Sequence, residues 1–214
     1  MSTKDVVLQH HFEDLEQQFE ASSLGMWAFL VQEILFFGGL FAGYLVYRNL
    51  YPEAFVLGSA HLDIQLGGIN TAVLICSSLT MALAVHAAQK GQKGKILAFL
   101  FLTLLLGSTF LGIKVVEYAH KVHDNLLPGN SFVFDGPYSD QVRIFYSFYF
   151  AMTGMHAFHM IVGAGFLIYL MVKASGGAYH EKYFTPVEMF GLYWHFVDII
   201  WIFLFPLLYL LGRH

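Results

Sequence analysis

With 214 residues, 57% of them hydrophobic and 12% charged, and a mean hydropathy of +0.59, the chain is too apolar for a soluble domain and reads as an integral membrane protein. Its formal charge of −4 is small and spread out, with no basic block and no aromatic-basic interleaving, which excludes a nucleic-acid partner. The single cysteine, Cys76, lies in an apolar run and excludes a disulfide or a cysteine metal cluster within the chain.

The first 22 residues, "MSTKDVVLQHHFEDLEQQFEAS", set five acids against Lys4 and form a short acidic, amphipathic arm that can lie at a membrane interface. No cleavable leader is expected, because the apolar run from Leu24 is too long for a signal-peptide core. A bilayer core about 30 Å thick takes about 20 helical residues. Five stretches reach that length, at roughly 23–47, 67–88, 95–117, 143–172 and 186–211. The fourth is the longest and is expected to tilt or to extend beyond the lipid. Between them lie "RNLYPEAFVLGSAHLDIQL", the tight "QKGQKGK", a long loop with "PGN" and "DGPYSD", and "KASGGAYHEKYFT", whose Gly, Pro, Asn and Asp supply turns. No repeat appears. The expected fold is all-α and polytopic, with residues 23–214 forming one bundle of five transmembrane helices.

Lysines near the spans set the orientation. Lys90, Lys93 and Lys95 crowd the second connection, which places it on the cytoplasmic side with the amino terminus inside and the carboxyl terminus outside. Lys4, Lys173 and Lys182 then fall inside, against Arg48, Lys121, Arg143 and Arg213 outside.

Ionisable residues stand inside the apolar spans. At a rise of about 1.5 Å per residue from the inner ends, Glu33 lies ~15 Å deep, His195 ~14 Å, Asp198 ~18 Å and His159 ~20 Å, with His156 one turn beyond His159. Three helices thus bring polar groups to one layer. A charge at the bilayer centre costs about 2.5–3.5 kcal/mol even on the lenient insertion scale, so these groups are expected to face protein and bond one another in one buried polar cluster. Structural hydrogen bonding between helices and a chemical role both remain open for these residues, and Glu33 can be held protonated by apolar surroundings.

His156, His159 and His195 could offer imidazoles to haem or copper, as in a transmembrane cytochrome b. The chain lacks two well-separated histidine pairs, or one opposed pair among small residues, and only Glu117 and His120 match the Glu-x-x-His spacing of a di-iron bundle. No metal is expected. Lys114 and Glu117, one turn apart near the outer end of the third span, read as an ion pair reaching toward the interface. Gly39 with Gly43, and Gly163 with Gly165, suggest close helix packing. Tyr44, Tyr47, Tyr51, Tyr146 and Tyr149 read as belt residues at the outer ends, and Pro206 as a kink in the fifth span.

Four stretches together resemble subunit III of the haem-copper respiratory oxidases. They are "MWAFLVQEILFFGGLF" at 26–41, "VVEYAH" at 115–120, "TGMHAFHMIVGAGFLI" at 153–168 and "YWHFVDIIWIFLF" at 193–205, in order over nearly the whole chain from residue 24. The resemblance implies a multi-pass protein of the bacterial plasma membrane with no catalytic residues and no cofactor of its own. Haem and copper would sit in partner subunits. The implied partners are the catalytic subunit I, subunit II, other respiratory-complex subunits and phospholipids. The implied role is to stabilise the catalytic subunit, hold lipids and support proton uptake while dioxygen is reduced to water and protons are pumped. Glu33 matches a buried, carbodiimide-reactive carboxylate of that family. His195 and Asp198, and the pair His156 and His159, match positions in its packed bundle.

Seven-helix members carry two further amino-terminal helices that make a lipid-filled cleft, so this chain resembles the five-helix bacterial type. The resemblance does not distinguish cytochrome c from quinol as electron donor. Alternatives are a nitric oxide reductase accessory subunit of the same family and a transmembrane cytochrome b. A proton-coupled transporter using Glu33 lacks the inverted repeat or broken helices such proteins use.

Overall fold

The computed structural model describes residues 8–129, 131–181 and 183–212. Lys4, Lys182 and Arg213, three of the charges used for orientation, and residues 1–7 of the arm lie outside the described residues. Six helices follow in order: α1 Leu15–Leu50, α2 Pro52–Ala60, α3 Ile64–Gln89, α4 Lys93–His123, α5 Ser139–Ser175 and α6 Thr185–Tyr209. All but α2 are long and apolar enough to cross a membrane, so the all-α polytopic architecture with five spans holds.

The ends of the helices are written in local chemistry. Asp14 caps α1 by accepting from Gln17 N at 2.8 Å, and Asp63 caps α3 by accepting from the amides of Gln65 and Leu66. Three helices close with the same left-handed stop. After α3, Gly91 has φ 61° and its amide donates to Ala88 O, while Gln92 N donates to Ala87 O. Asn125 and Gly177 repeat that double bond after α4 and α5. Each satisfies carbonyls that a helix end leaves open.

The segment expected to be a plain connection after the first span holds α2. Pro52 starts it at the position where a missing N–H costs nothing, and Ala54, Phe55 and Gly58 bury it against α5. A side chain at Gly58 would place its Cβ 2.4 Å from the Phe145 ring, so close approach requires glycine there. Lys121 Nζ donates to His61 O at 2.6 Å and ties the end of α2 to α4.

α3 and α4 form an antiparallel hairpin. α6 packs against α1, α3 and α5, and α4 joins α3 to α5. Between α3 and α6, rising numbers on one helix meet falling numbers on the other. Trp201 Nε1 donates to Thr71 at 3.0 Å, Trp194 Nε1 to Ser77 at 2.9 Å, and His195 Nδ1 meets Ser78 at 2.7 Å. Trp194 fits between Gly107 of α4 and Gly163 of α5, where an added Cβ would come within 2.9 and 2.8 Å of its ring. Gly39 and Gly165, expected to mediate packing, have nothing within 4 Å of an added Cβ. Leu35, Ile75, Phe101, Val115, Phe158 and Val172 are exposed instead, a lipid-facing surface for a helical bundle.

Of the five tyrosines read as belt residues, Tyr44, Tyr146 and Tyr149 are fully buried, and only Tyr47 and Tyr51 are exposed. Their hydroxyls explain the difference, since each inward ring finds a partner inside the bundle. Tyr44 donates to Leu207 O, Tyr149 to Glu117, and Tyr146 points its hydroxyl at Gly58 O.

Candidate functional site: three polar centres within the bundle

The first centre is the ion pair. Lys114 and Glu117 sit one turn apart on α4, with Nζ 2.9 Å from Oε2. The pair is present as its spacing suggests, but it turns into the bundle, with Lys114 3% and Glu117 1% exposed. Two tyrosines that the sequence did not single out for this role make that burial possible. Lys114 Nζ also donates to Tyr209 at 2.9 Å and Tyr149 at 3.2 Å, which uses all three of its protons. Both hydroxyls then donate to Glu117 Oε1, at 2.6 Å from Tyr209 and 2.8 Å from Tyr149. The aromatic faces of Tyr118 and Trp201 lie 5.2 and 5.1 Å from the ammonium. The network is closed and binds α4, α5 and α6 together.

The second centre joins Glu33 of α1 to His159 of α5, with Oε2 3.2 Å from Nε2. His159 Nδ1 lies 2.8 Å from Met155 O, and a carbonyl only accepts, so Nδ1 carries a proton. Its other ring nitrogen, Nε2, faces the Glu33 carboxyl, and the contact ties α1 to α5. Tyr193 donates to His159 O at 2.8 Å and fixes this turn of α5 to α6. A groove of about 560 Å³ between α1, α5 and α6 opens from the pair and is walled by Met26, Phe29, Phe166 and Phe190.

The third centre lies on another side of α6. His195 Nδ1 contacts Ser78 of α3 at 2.7 Å, and the Ser78 hydroxyl also approaches the carboxyl of Asp198. Neither Asp198 oxygen completes a hydrogen bond, although the residue is 3% exposed. No hydrogen bond joins His195 to Asp198 or to Glu33 among the described residues. α6 separates the two centres, since its Tyr193 and Phe196 face His159 and Phe37 while His195 and Asp198 face α3. The layer expected as one cluster is therefore divided in its contacts. His156 stands apart from both, buried between the rings of Phe110 and Trp201 with neither nitrogen bonded.

Among the described residues, no group of three or more His, Cys, Asp or Glu is placed to hold a metal ion. The arrangement can bind helices together and receive apolar molecules beside the Glu33–His159 pair. These properties define a membrane-embedded helical subunit whose polar groups are turned mostly toward one another.

The particular family follows from comparison with known proteins. The chain belongs to the family of cytochrome c oxidase subunit III, whose sequence profile matches residues 2–213. It is 34% identical over 191 residues to cytochrome c oxidase subunit 3 of Thermostichus vulcanus, covering 89% of this chain and 87% of that one. It is 32% identical over 189 residues to quinol oxidase subunit 3 of Bacillus spizizenii, covering 88% and 86%. With cytochrome bo(3) ubiquinol oxidase subunit 3 of Pseudomonas aeruginosa the identity is 30% over 188 residues, covering 88% and 84%. The chain is thus a subunit III of a haem-copper oxidase, part of a multi-subunit complex and a multi-pass protein of a bacterial membrane.

Proposed function

We propose that this chain is a non-catalytic helical support seated beside the catalytic subunit I, with subunit II in the same complex, and that the haem and copper belong to those partners. It stabilises subunit I, holds phospholipid along its apolar grooves and supports sustained proton uptake during dioxygen reduction. Its amino terminus faces the cytoplasm, which puts Lys90, Lys93 and Lys95 of the α3–α4 turn on that side.

The observation that carries this role is the Glu33–His159 pair, 3.2 Å apart at the end of an apolar groove of about 560 Å³. A carboxyl paired with an imidazole beside a space shaped for acyl chains suits a support that meets lipid and protons, and the Lys114–Glu117 pair is taken up in tying helices together. The test is purification of the complex through a tag on this chain, with subunits identified by mass and the haem spectrum recorded. The expected result is a haem- and copper-containing subunit I in stoichiometric amount. A copper-free catalytic partner would give the chain to a nitric oxide reductase instead, and haem retained by the isolated chain would make it a cytochrome.

A further inference from the structure

The groove between α3 and α6, about 380 Å³, combines an aliphatic wall with polar groups whose bonding is incomplete. Leu74, Ile75, Leu79, Ile199 and Ile202 form the wall, and Ser78, His195 and Asp198 form its polar seam. His195 is half-buried, its Nδ1 is taken by Ser78, and its Nε2 has no partner among the described residues. Behind it the carboxyl of Asp198 is buried with both oxygens unbonded. A polar seam of this kind does not face acyl chains at no cost, because lipid offers it no hydrogen bond.

Depth decides what can cover it. His195 is ten residues into α6, which begins at Thr185, and Ser78 lies near the middle of α3, between Ile64 and Gln89. At about 1.5 Å per residue, both stand ~15 Å or more from the helix ends, beyond the reach of a lipid headgroup. Acyl chains match the wall and leave the seam unbonded. A second transmembrane helix covers the wall with small or aliphatic residues and bonds the His195 end of the seam with one polar side chain at that depth.

We infer that the α3–α6 groove is the seat of a transmembrane helix from a partner subunit of the oxidase, held by one uncharged hydrogen-bonding side chain at His195 Nε2. A hydroxyl or carboxamide fits this place. It can accept from Nε2–H when the Ser78 hydroxyl donates to Nδ1, and it can donate to Nε2 when Nδ1 carries the ring proton and donates to Ser78. Another charge from the partner would stand without a counter-charge in low dielectric. The inference rests on the proposed place of the chain in an oxidase and adds which face of it is covered, and by what chemistry.

Two experiments on the intact purified complex test it. In a Cys76→Ser background, Ile202→Cys carrying a benzophenone label is photolysed and its adduct identified by mass. An adduct to a transmembrane segment of another oxidase subunit is expected. Adducts to lipid alone, to a second copy of this chain, or to nothing overturn the inference.

The second experiment uses atoms in place of bulk. His195→Asn keeps an amide near the position of Nδ1, toward Ser78, and His195→Gln keeps one near the position of Nε2, toward the groove. His195→Gln should hold this chain in the complex within about twofold of the unsubstituted protein, and His195→Asn should reduce it about tenfold during detergent washing. The reverse order, or equal retention, overturns the inference, since a purely internal role for His195 favours the Asn variant. If the unsubstituted chain never purifies with a haem-copper subunit I, the proposed function fails. If it does and the groove experiments give the contrary results, the groove assignment alone fails.

Discussion

The hydroxyl of Tyr209 stands 2.9 Å from Lys114 Nζ, joining the last turn of α6 to a charge buried in α4. Breaking a buried ion pair on one side leaves an uncompensated charge, at a cost of about 3–5 kcal/mol. Lys114→Met and Glu117→Leu should each lower the detergent melting temperature strongly. The double variant Lys114→Met/Glu117→Leu should recover most of the loss, because an apolar filling of similar volume often matches the pair. Equal destabilisation by the double and the single variants would show that the charges do not depend on each other.

The contact between Glu33 and His159 sets a second expectation. Glu33→Gln puts an amide N–H beside His159 Nε2, which can accept it because Nδ1 carries the ring proton, so folding should change by no more than about 0.5–1.5 kcal/mol, the net worth of one hydrogen bond. His159→Leu leaves a buried carboxyl without its partner and should cost about 1–3 kcal/mol or more. In the assembled oxidase, Glu33→Gln should leave early turnover nearly intact and change activity late in a sustained assay. Immediate loss of haem from the Glu33→Gln complex would contradict the supporting role.

Depth was legible in the sequence and direction was not. The length of an apolar stretch against the bilayer gave the five spans, and a fixed rise per residue placed Glu33, His159, His195 and Asp198 at similar levels. Which way each helix is rotated depends on partners far along the chain. Tyr193 and Phe196 turn to α1 and α5 while His195 and Asp198 turn to α3, and that divided a cluster inferred from depth alone. The same lack of azimuth hid Tyr209, 92 residues from Glu117, and placed Tyr149 at the rim when it lies inside. α2 was missed because its nine residues are too short for a span and too rich in turn formers to stand out.

Trp194 offers a packing test with its control in the same helix. Gly163→Ala would put a methyl 2.8 Å from Trp194 Cζ3, whereas Gly165→Ala meets nothing within 4 Å. Overpacking of a filled interior typically costs about 1–3 kcal/mol. Gly163→Ala should therefore melt lower in detergent and Gly165→Ala should match the unsubstituted chain or exceed it slightly, since alanine is the better helix former. A tryptophan fluorescence change with the first variant and none with the second would locate the strain at the ring.

Tyr44 controls how the last transmembrane helix ends. Its hydroxyl reaches 2.5 Å to the carbonyl of Leu207, which lies in the final turn of α6, where carbonyls have no donor within their own helix. The ring is fully buried, so water does not replace the tyrosine if the hydroxyl is removed. Tyr44→Phe keeps the packing and orphans the carbonyl, a loss of about 1–3 kcal/mol. Fraying should start at α6, because the bond lost belongs to its end. Hydrogen exchange should therefore speed up at residues 207–211 by a larger factor than in α3 or α4. Uniform acceleration across the bundle would mean that Tyr44 acts on global stability and that the end of α6 is held by other contacts.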